Sequence, residues 1–535
     1  MMVLRFYGII KFGPKMINRT SHLMESKKHL IPLILVWQFA CAVSPVFAAN
    51  GQTTSCDFVG LGSSEKLTDK NLVSPIYKKT FLKYGINVDK MITRQQIEAD
   101  FAHLNALFAV ITQGQKEQDS WNKIFATAAS NTPAQSSIND FGHYLKKVLS
   151  YSNHKALEED AVKLPPGYLP FLLADSNGGV LALHKDRKSF LDSEFPLLLE
   201  VDGEPLQVWV IAAQKNTAST SPQSKRARVL NSLSAINFLR MERQKKVSQS
   251  VSITLASLDK KKTKKLSLNL SEHVVKASFR KHAPLTMNIG SDLLFTKWTK
   301  LHSHAEEVDA IYSALRRSGS YKGVIVDLRE VDGYNKHFIE GVLPYFLPEQ
   351  VHFEPLAFAK PHKSLNAVCS QNKMDAYESG FSKISQLNLT AADQQVLKNN
   401  IIKQRNNDNQ NPSTESLIWA GKNTTLKPQI KVPVVFLINE QTRGDIEIFL
   451  AAIKGRTNVT IVGSPSAGEV TQMVNYRLPN SGFIVRAPKY QLLSSKQQQI
   501  EGFGVLPDIQ VRPEPLDRIG KSDALLQMAV KILRQ

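Results

Sequence analysis

Three short, almost unbroken apolar runs limit what this chain can fold into more than any other feature. Gly323–Leu328 (GVIVDL), Val432–Ile438 (VPVVFLI) and Val459–Gly463 (VTIVG) each have the length of a strand. Helical patterns separate them: Val308, Ile311 and Leu315 precede the first, and Asp445 to Lys454 lies between the second and third. A strand that is apolar at every position, rather than at alternate ones, is buried on both faces. Strands alternating with helices build a parallel sheet. Residues 285–535 are therefore expected to form an α/β domain. At ~100–200 residues per domain, a chain of 535 residues holds roughly three.

Upstream the pattern changes twice. Residues 50–165 read as a helical domain. Thr93, followed three residues later by Gln96, is a capping-box pattern, and Ile97, Phe101, Leu104 and Phe108 then recur at helical spacing. Leu164-Pro165-Pro166-Gly167 closes that region. Residues 166–284 read as β-rich. Gly179–Leu183 and Leu197–Val201 are strands, the latter running into the turn Asp202-Gly203. Gln214 to Ala227 reads as a Ser/Thr/Lys-rich loop and Val229 to Arg243 as one helix with Leu230, Leu233, Ile236 and Leu239 on a face. Val251–Leu258 and Lys265–Leu270 form a hairpin around Lys260-Lys261-Lys262, which is read as a solvated tip. The Asn-rich segment Gln404 to Thr414 reads as a mobile insertion.

Residues 1–48 have the parts of a secretory signal. Lys27 and Lys28 precede the apolar run Leu30–Val43, then Pro45 and the small-residue tripeptide Val46-Phe47-Ala48. Met24 is an alternative start. Cleavage near Ala48 is expected to leave an exported chain, periplasmic or extracellular, with no membrane span. The formal charge would fall from +20 to about +15, still basic. That charge favours anionic envelope polymers over nucleic acid, for which no binding module is present. Cys56 and Cys369 would survive cleavage, and two cysteines permit a disulfide without establishing one. No Cys/His cluster has metal-ligand spacing, so neither metal nor cofactor is expected.

Three segments carry a resemblance. They are GVIVDLREVDGYN (323–335), VPVVFLINEQTRGDIEIFLAAIKGRTNVTIVGSPSAGEVTQ (432–472) and IEGFGVLPDIQV (500–511). In this order and spacing they resemble the C-terminal-processing (tail-specific) serine peptidases over about residues 285–515. LLLEVDGEPLQ (197–207) is similar to the last strand and turn of the family's PDZ-like domain. The resemblance implies a multidomain α/β fold: a crotonase-like peptidase domain, a helical N-terminal region and a degenerate PDZ-like module. It also implies polypeptide C-termini or unfolded protein as partners, captured by strand addition.

The family's chemistry needs a serine hydroxyl and a neutral lysine that removes its proton. The nucleophile precedes a helical glutamate by three residues. Glu447 matches that glutamate, which puts Gly444 at the nucleophile position. The lysine follows a Thr-x-Gly triplet. Ser466-Ala467-Gly468 matches it, so the base position is Glu469. Gly333, Tyr334, Gly444, Asp445 and Gln472 are the expected binding positions, Gln472 standing for the family's glutamine and Gly333-Tyr334 for its glycine pair. Thr442, Ser464 and Ser466 are nearby hydroxyls, read as turn and cap residues. His302, His304 and His337 accompany no serine-centred motif, and Asp327 and Arg329 read as an ion pair at a strand end. Three functions stay open: an inactive homologue that binds polypeptide or regulates a partner protease, an active peptidase with a displaced nucleophile, and a basic envelope-binding protein.

Overall fold

The computed structural model describes residues 89–111, 115–150, 162–218, 221–276, 285–298, 305–347, 353–361, 382–383, 390–395, 397, 417–422, 429–470, 473–488, 490–496 and 498–535. The signal segment, Cys56, Cys369, His302, His304, the 404–414 segment and Gln472 lie outside these residues. All described residues belong to one compact unit of the chain.

Strand β1 (Met91–Thr93) pairs antiparallel with β2 (Gln135–Ser137), and the helices α1 (Arg94–Ile111), α2 (Gln115–Ser130) and α3 (Ile138–Leu149) pack around that pair. The capping box forms as the sequence predicts. The Thr93 amide donates to Gln96 Oε1 and the Gln96 amide donates to Thr93 Oγ1. Ile97, Phe101, Leu104 and Phe108 are all buried. Their cluster extends into the hairpin formed by Met473–Arg477 and Ile484–Pro488, through Tyr476, Leu478, Phe483 and Val485. Buried Asp100 fixes the turn of that hairpin by accepting from the Asn480 amide and side chain and from the Ser481 amide.

The second region is an antiparallel sheet of β3 (Leu172–Ser176), β4 (Gly179–Leu183), β5 (Leu197–Val201), β6 (Glu204–Pro205), β7 (Ser250–Ala256) and β8 (Thr263–Asn269), ordered β3-β4-β5-β7-β8 with β6 against β5. Helices α4 (Leu206–Gln214), α5 (Pro222–Ser232) and α6 (Ile236–Glu242) cover one face of the sheet. Two sequence expectations are corrected here. The loop expected over 214–227 gives way to helix at Pro222, because Ser221 caps it by accepting from the Ser224 amide and proline suits the first helical position. The helix expected over 229–243 is two helices, broken at Leu233–Ala235. Leu230, Leu233, Ile236 and Leu239 are all buried on either side of that break, so their periodicity runs on where the backbone does not.

The third region holds the parallel sheet. Strands β9 (Leu285–Ile289), β10 (Leu293–Lys297), β11 (Gly323–Asp327), β15 (Val434–Ile438), β16 (Val459–Gly463) and β20 (Ile509–Gln510) stand in the order β20-β16-β15-β11-β10-β9. All neighbours are parallel except β9, which is antiparallel to β10. A second sheet contains β12 (Phe353–Pro361), β13 (Ser382–Lys383), β14 (Leu417–Lys422) and β19 (Tyr490–Ser494), and β17 (Met473–Arg477) pairs with β18 (Ile484–Pro488). Helices α7 (Ala305–Arg316), α8 (Lys336–Val342), α9 (Asp445–Ile453) and α10 (Ala524–Arg534) complete the domain. The strand expected from Val432 begins at Val434, since Pro433 has no N–H to give the ladder.

The apolar runs divide by alternation. Val324, Val326, Phe436, Ile438 and Ile461 face a core built with α9. Ile325, Val435, Leu437 and Val462 face the opposite core, built with Leu525 and Ala529 of α10. Both faces of the sheet are thus covered, as continuous apolar strands require. Asp327 and Arg329 lock the end of β11. The guanidinium donates to both carboxylate oxygens of Asp327 and to both of Asp523, which also caps α10. Among the described residues no helix is long and apolar enough to cross a membrane.

Candidate functional site

The site forms where the three sequence segments cross, at the carboxyl end of β11, β15 and β16. Gly444 is the residue that caps α9, with φ 87° and ψ −150°, a backbone state open in practice to glycine alone. A Cβ built there would lie 2.2 Å from the Gly333 carbonyl oxygen and 3.0 Å from its carbon. The amides at the start of α9 are already engaged. Gly444 N–H donates to the Glu469 carbonyl at 3.1 Å and Asp445 N–H donates to the Gly333 carbonyl at 3.2 Å. The Gly333 loop therefore lies directly against the helix start, in the space a side chain at 444 would take.

Glu469 is nearly buried, at 8% exposure. Its Oε1 accepts from Ser224 Oγ at 2.6 Å and from the Arg228 guanidinium at 2.8 Å, and its Oε2 accepts from Arg443 at 3.2 Å. Two of these donors come from α5 of the second region. The start of α5 adds further bonds to the same loop. Ser221 Oγ donates to the Ala467 carbonyl at 2.5 Å, and the Gln223 side-chain amide donates to the carbonyls of Ser466 and Phe503 at 2.7 and 2.8 Å. Glu469 is thus the centre of a clamp that holds α5 on the 466–469 loop. The sequence reading missed Ser221, Gln223, Ser224 and Arg228. The Ser221-Pro222 pair was the one available signal, marking a helix start inside the apparent loop.

The closing segment IEGFGV crosses that loop at backbone contact. A Cβ on Gly504 would lie 2.3 Å from the Ser466 carbonyl oxygen, and one on Gly468 2.8 Å from the Gly504 nitrogen. Gly468 O accepts from the Gly502 amide and Ser466 N–H donates to the Val505 carbonyl. These glycines let two loops meet that no side chain could separate.

The hydroxyls of Thr442, Ser464 and Ser466 are all committed. Thr442 Oγ1 donates to the Leu328 carbonyl and accepts from the Asn439 amide. Ser464 Oγ donates to Glu440, and buried Ser466 Oγ donates to Glu447 Oε1 at 2.5 Å while accepting from the Val505 amide. Thr442 thus holds the turn that the sequence suggests, whereas Ser464 and Ser466 bond carboxylates and an amide far along the chain. His337 sits on α8 with its side chain 93% exposed.

Glu447 is fully buried and accepts from Ser466 Oγ and from the Gly468 and Glu469 amides. Loss of hydration is the main cause that pushes its carboxyl up to about 8. The three donors oppose this and the nearby charge of Glu501 adds to it. Burial likewise pushes Asp445 up to about 7, against a hydrogen bond from the Asn335 backbone. Acids with raised folded values hold protons more tightly folded than unfolded. Their contribution is therefore full below about pH 4 and is lost as the pH climbs through 7 to 8. Urea unfolding between about pH 5 and about pH 9 should show stability falling on the order of a few kcal/mol. The fall near neutrality should be shallower in Asp445→Asn. A rise in stability over this range would contradict the assignment.

Tyr334 follows Gly333 and is 50% exposed, while Phe503 and Leu506 of the closing segment are 62% and 61% exposed. Phe503 and Leu506 thus offer apolar surface to solvent, while the half-exposed Tyr334 has its hydroxyl buried near Glu501, Asp445 and Glu469, which raises its pKa well above the usual tyrosine value. Of the expected binding positions, Gly333, Gly444 and Asp445 come together at the start of α9 and Tyr334 lies at its rim. Among the described residues no group of His, Cys, Asp and Glu is arranged to hold a metal.

The parallel sheet with its crossing motifs carries the resemblance to the C-terminal-processing peptidases. Residues 293–511 match the model of peptidase family S41. Two solved structures, both of CPAF, agree on the fold. Mature CPAF superposes with a TM-score of 0.54 at 15% identity, covering 82% of this chain and 97% of that one. A CPAF mutant gives a TM-score of 0.55 at 13% identity, covering 83% and 98%. The photosystem II D1 C-terminal processing protease matches at 13% identity over 80% and 98%, with a TM-score of 0.38. No curated protein matches the sequence.

Proposed function

We propose that this chain is an exported, non-catalytic homologue of the S41 peptidases that binds extended polypeptide without cutting it. The observation that carries the reading is the state of position 444. It has no side chain, and the volume a serine would occupy holds the Gly333 carbonyl. The base position supports it, since Glu469 is spent on Arg228, Arg443 and Ser224 and has no nucleophile to serve. The engaged hydroxyls of Thr442, Ser464 and Ser466 weigh against a displaced nucleophile.

Binding is the function such a site retains. Phe503, Leu506 and the exposed part of Tyr334 offer apolar surface beside it, which suits apolar side chains of an extended segment. The region 166–284 is read as a degenerate PDZ-like module that contributes to that capture, and sequestering or presenting polypeptide is how the protein would regulate a partner protease. The purified mature chain should bind a fluorescent peptide with a free, apolar C-terminus and leave it intact. The double variant Tyr334→Ala/Phe503→Ala should weaken binding by about tenfold or more, as expected for two aromatic anchors. Unchanged affinity in that variant would remove this rim from the binding surface.

A further inference from the structure

One end of the second region's sheet gathers cations from two loops that sequence alone leaves unrelated. Leu181 pairs with Leu197, Leu197 with Ala256 and Ala256 with Thr263. The loop after β4, residues 184–196, and the tip between β7 and β8, residues 257–262, therefore leave the sheet at the same end. The ion pair of Lys264 with Asp192, at 2.8 Å, ties the two together. Lys185, Arg187 and Lys188 of the first loop, Lys260, Lys261 and Lys262 of the tip, and Lys264 and Lys265 at the start of β8 are all exposed. Against these eight cations stand Asp186, Asp192, Glu194 and Asp259, so the end is strongly positive.

The tip is a built turn. Ser257 N–H donates to the Lys262 carbonyl, and Ser257 Oγ and the Lys261 amide both donate to Asp259 Oδ1. Asp259 is thereby turned into the loop while the three lysines point away from the fold. Beside them Leu258 is 50% exposed, an apolar side chain at the apex of a cationic end.

We propose that this end docks on an anionic lipid bilayer surface, the lysines attracted to its charge and Leu258 seated among the acyl chains. Seven of the eight cations are lysines, compact hydrated charges suited to a diffuse surface rather than to paired recognition of one phosphate. An exposed leucine gains from a bilayer and nothing from a hydrophilic polyanion.

The test is flotation of the mature protein with phosphatidylglycerol-containing vesicles and with phosphatidylcholine vesicles, with soluble polyphosphate as competitor. Binding only to the anionic vesicles, weakened by added salt, is expected. The variant Lys260→Asn/Lys261→Gln/Lys262→Gln should lose about a hundredfold in partitioning, three surface charges being removed. Asparagine is chosen because Lys260 has a positive φ of 59°. Leu258→Ser should lose several-fold with no change in thermal melting. Full binding by the triple variant would overturn the proposal. So would polyphosphate binding as tight as vesicle binding and indifferent to Leu258, which would assign the end to a soluble polymer.

Discussion

Glu469→Lys, the change that writes the family's base back into the sequence, is expected to destabilise the protein by about 3 kcal/mol or more and to yield no peptidase. Removing one partner of a buried charge pair leaves its counterions uncompensated, at a cost of about 3–5 kcal/mol. Here two guanidiniums lose their carboxylate, and a third cation takes its place between Arg228 and Arg443. Arg443 is partly exposed, which moderates the figure, and Arg228 is the more buried of the two. Ser224 loses its acceptor as well. Because the clamp joins α5 to the 466–469 loop, the loss should also free that interface, so the helix would become more open to hydrogen exchange. Glu469→Gln keeps the shape and one acceptor and should cost about half as much. Equilibrium urea unfolding of the three proteins decides the matter. Stability unchanged in Glu469→Lys would mean that the clamp contributes nothing.

Gly444→Ser should be as damaging. A residue with a side chain at φ 87° and ψ −150° is strained by about 1–3 kcal/mol before any contact is considered. The contact itself is with backbone, 2.2 Å from the Gly333 carbonyl oxygen. Relief requires the 333 loop to move, which breaks the bond from the Asp445 amide and costs about 1 kcal/mol more. A total of about 3 kcal/mol or more is expected. Gly203 supplies the control. Its φ is 75° and nothing lies within 4 Å of a Cβ built on it, so Gly203→Ser should show the conformational strain alone, about 1 kcal/mol. Equal losses at the two positions would show that the Gly333 collision is relieved without cost. The two substitutions that restore the family's dyad on paper are thus the two that this backbone resists.

Much of the scaffold can be read from the chain because its cause is local. The runs at 323–328 and 459–463 are apolar at nearly every position, and that alone places β11 and β16 inside a sheet covered on both faces. The capping box at Thr93 and the hairpin around Lys260 are likewise contained within a few residues. The three family segments also announced their meeting, since Gly468 and Gly504 are glycines for the reason that their loops touch. The clamp on Glu469 was not legible. Arg228 and Glu469 are 241 residues apart in sequence, and nothing near either names the other. The first turns of the helix that carries Arg228 are polar and basic, so their pattern resembles a loop and only Ser221-Pro222 marks the start. The break between α5 and α6 was hidden for the opposite reason: Leu233 and Ile236 keep a helical spacing on both sides of it, because both sides are buried.

The most direct measurement is proteolysis by the purified mature chain, beginning at Asn50, on a disordered protein with an apolar C-terminus, with intact-mass detection of products. The account predicts substrate that is bound and uncut, with no serine labelled by a fluorophosphonate probe. Cleavage that follows the protein through purification and disappears on mutation of Ser464 or Ser466 would contradict it and show a working, displaced nucleophile.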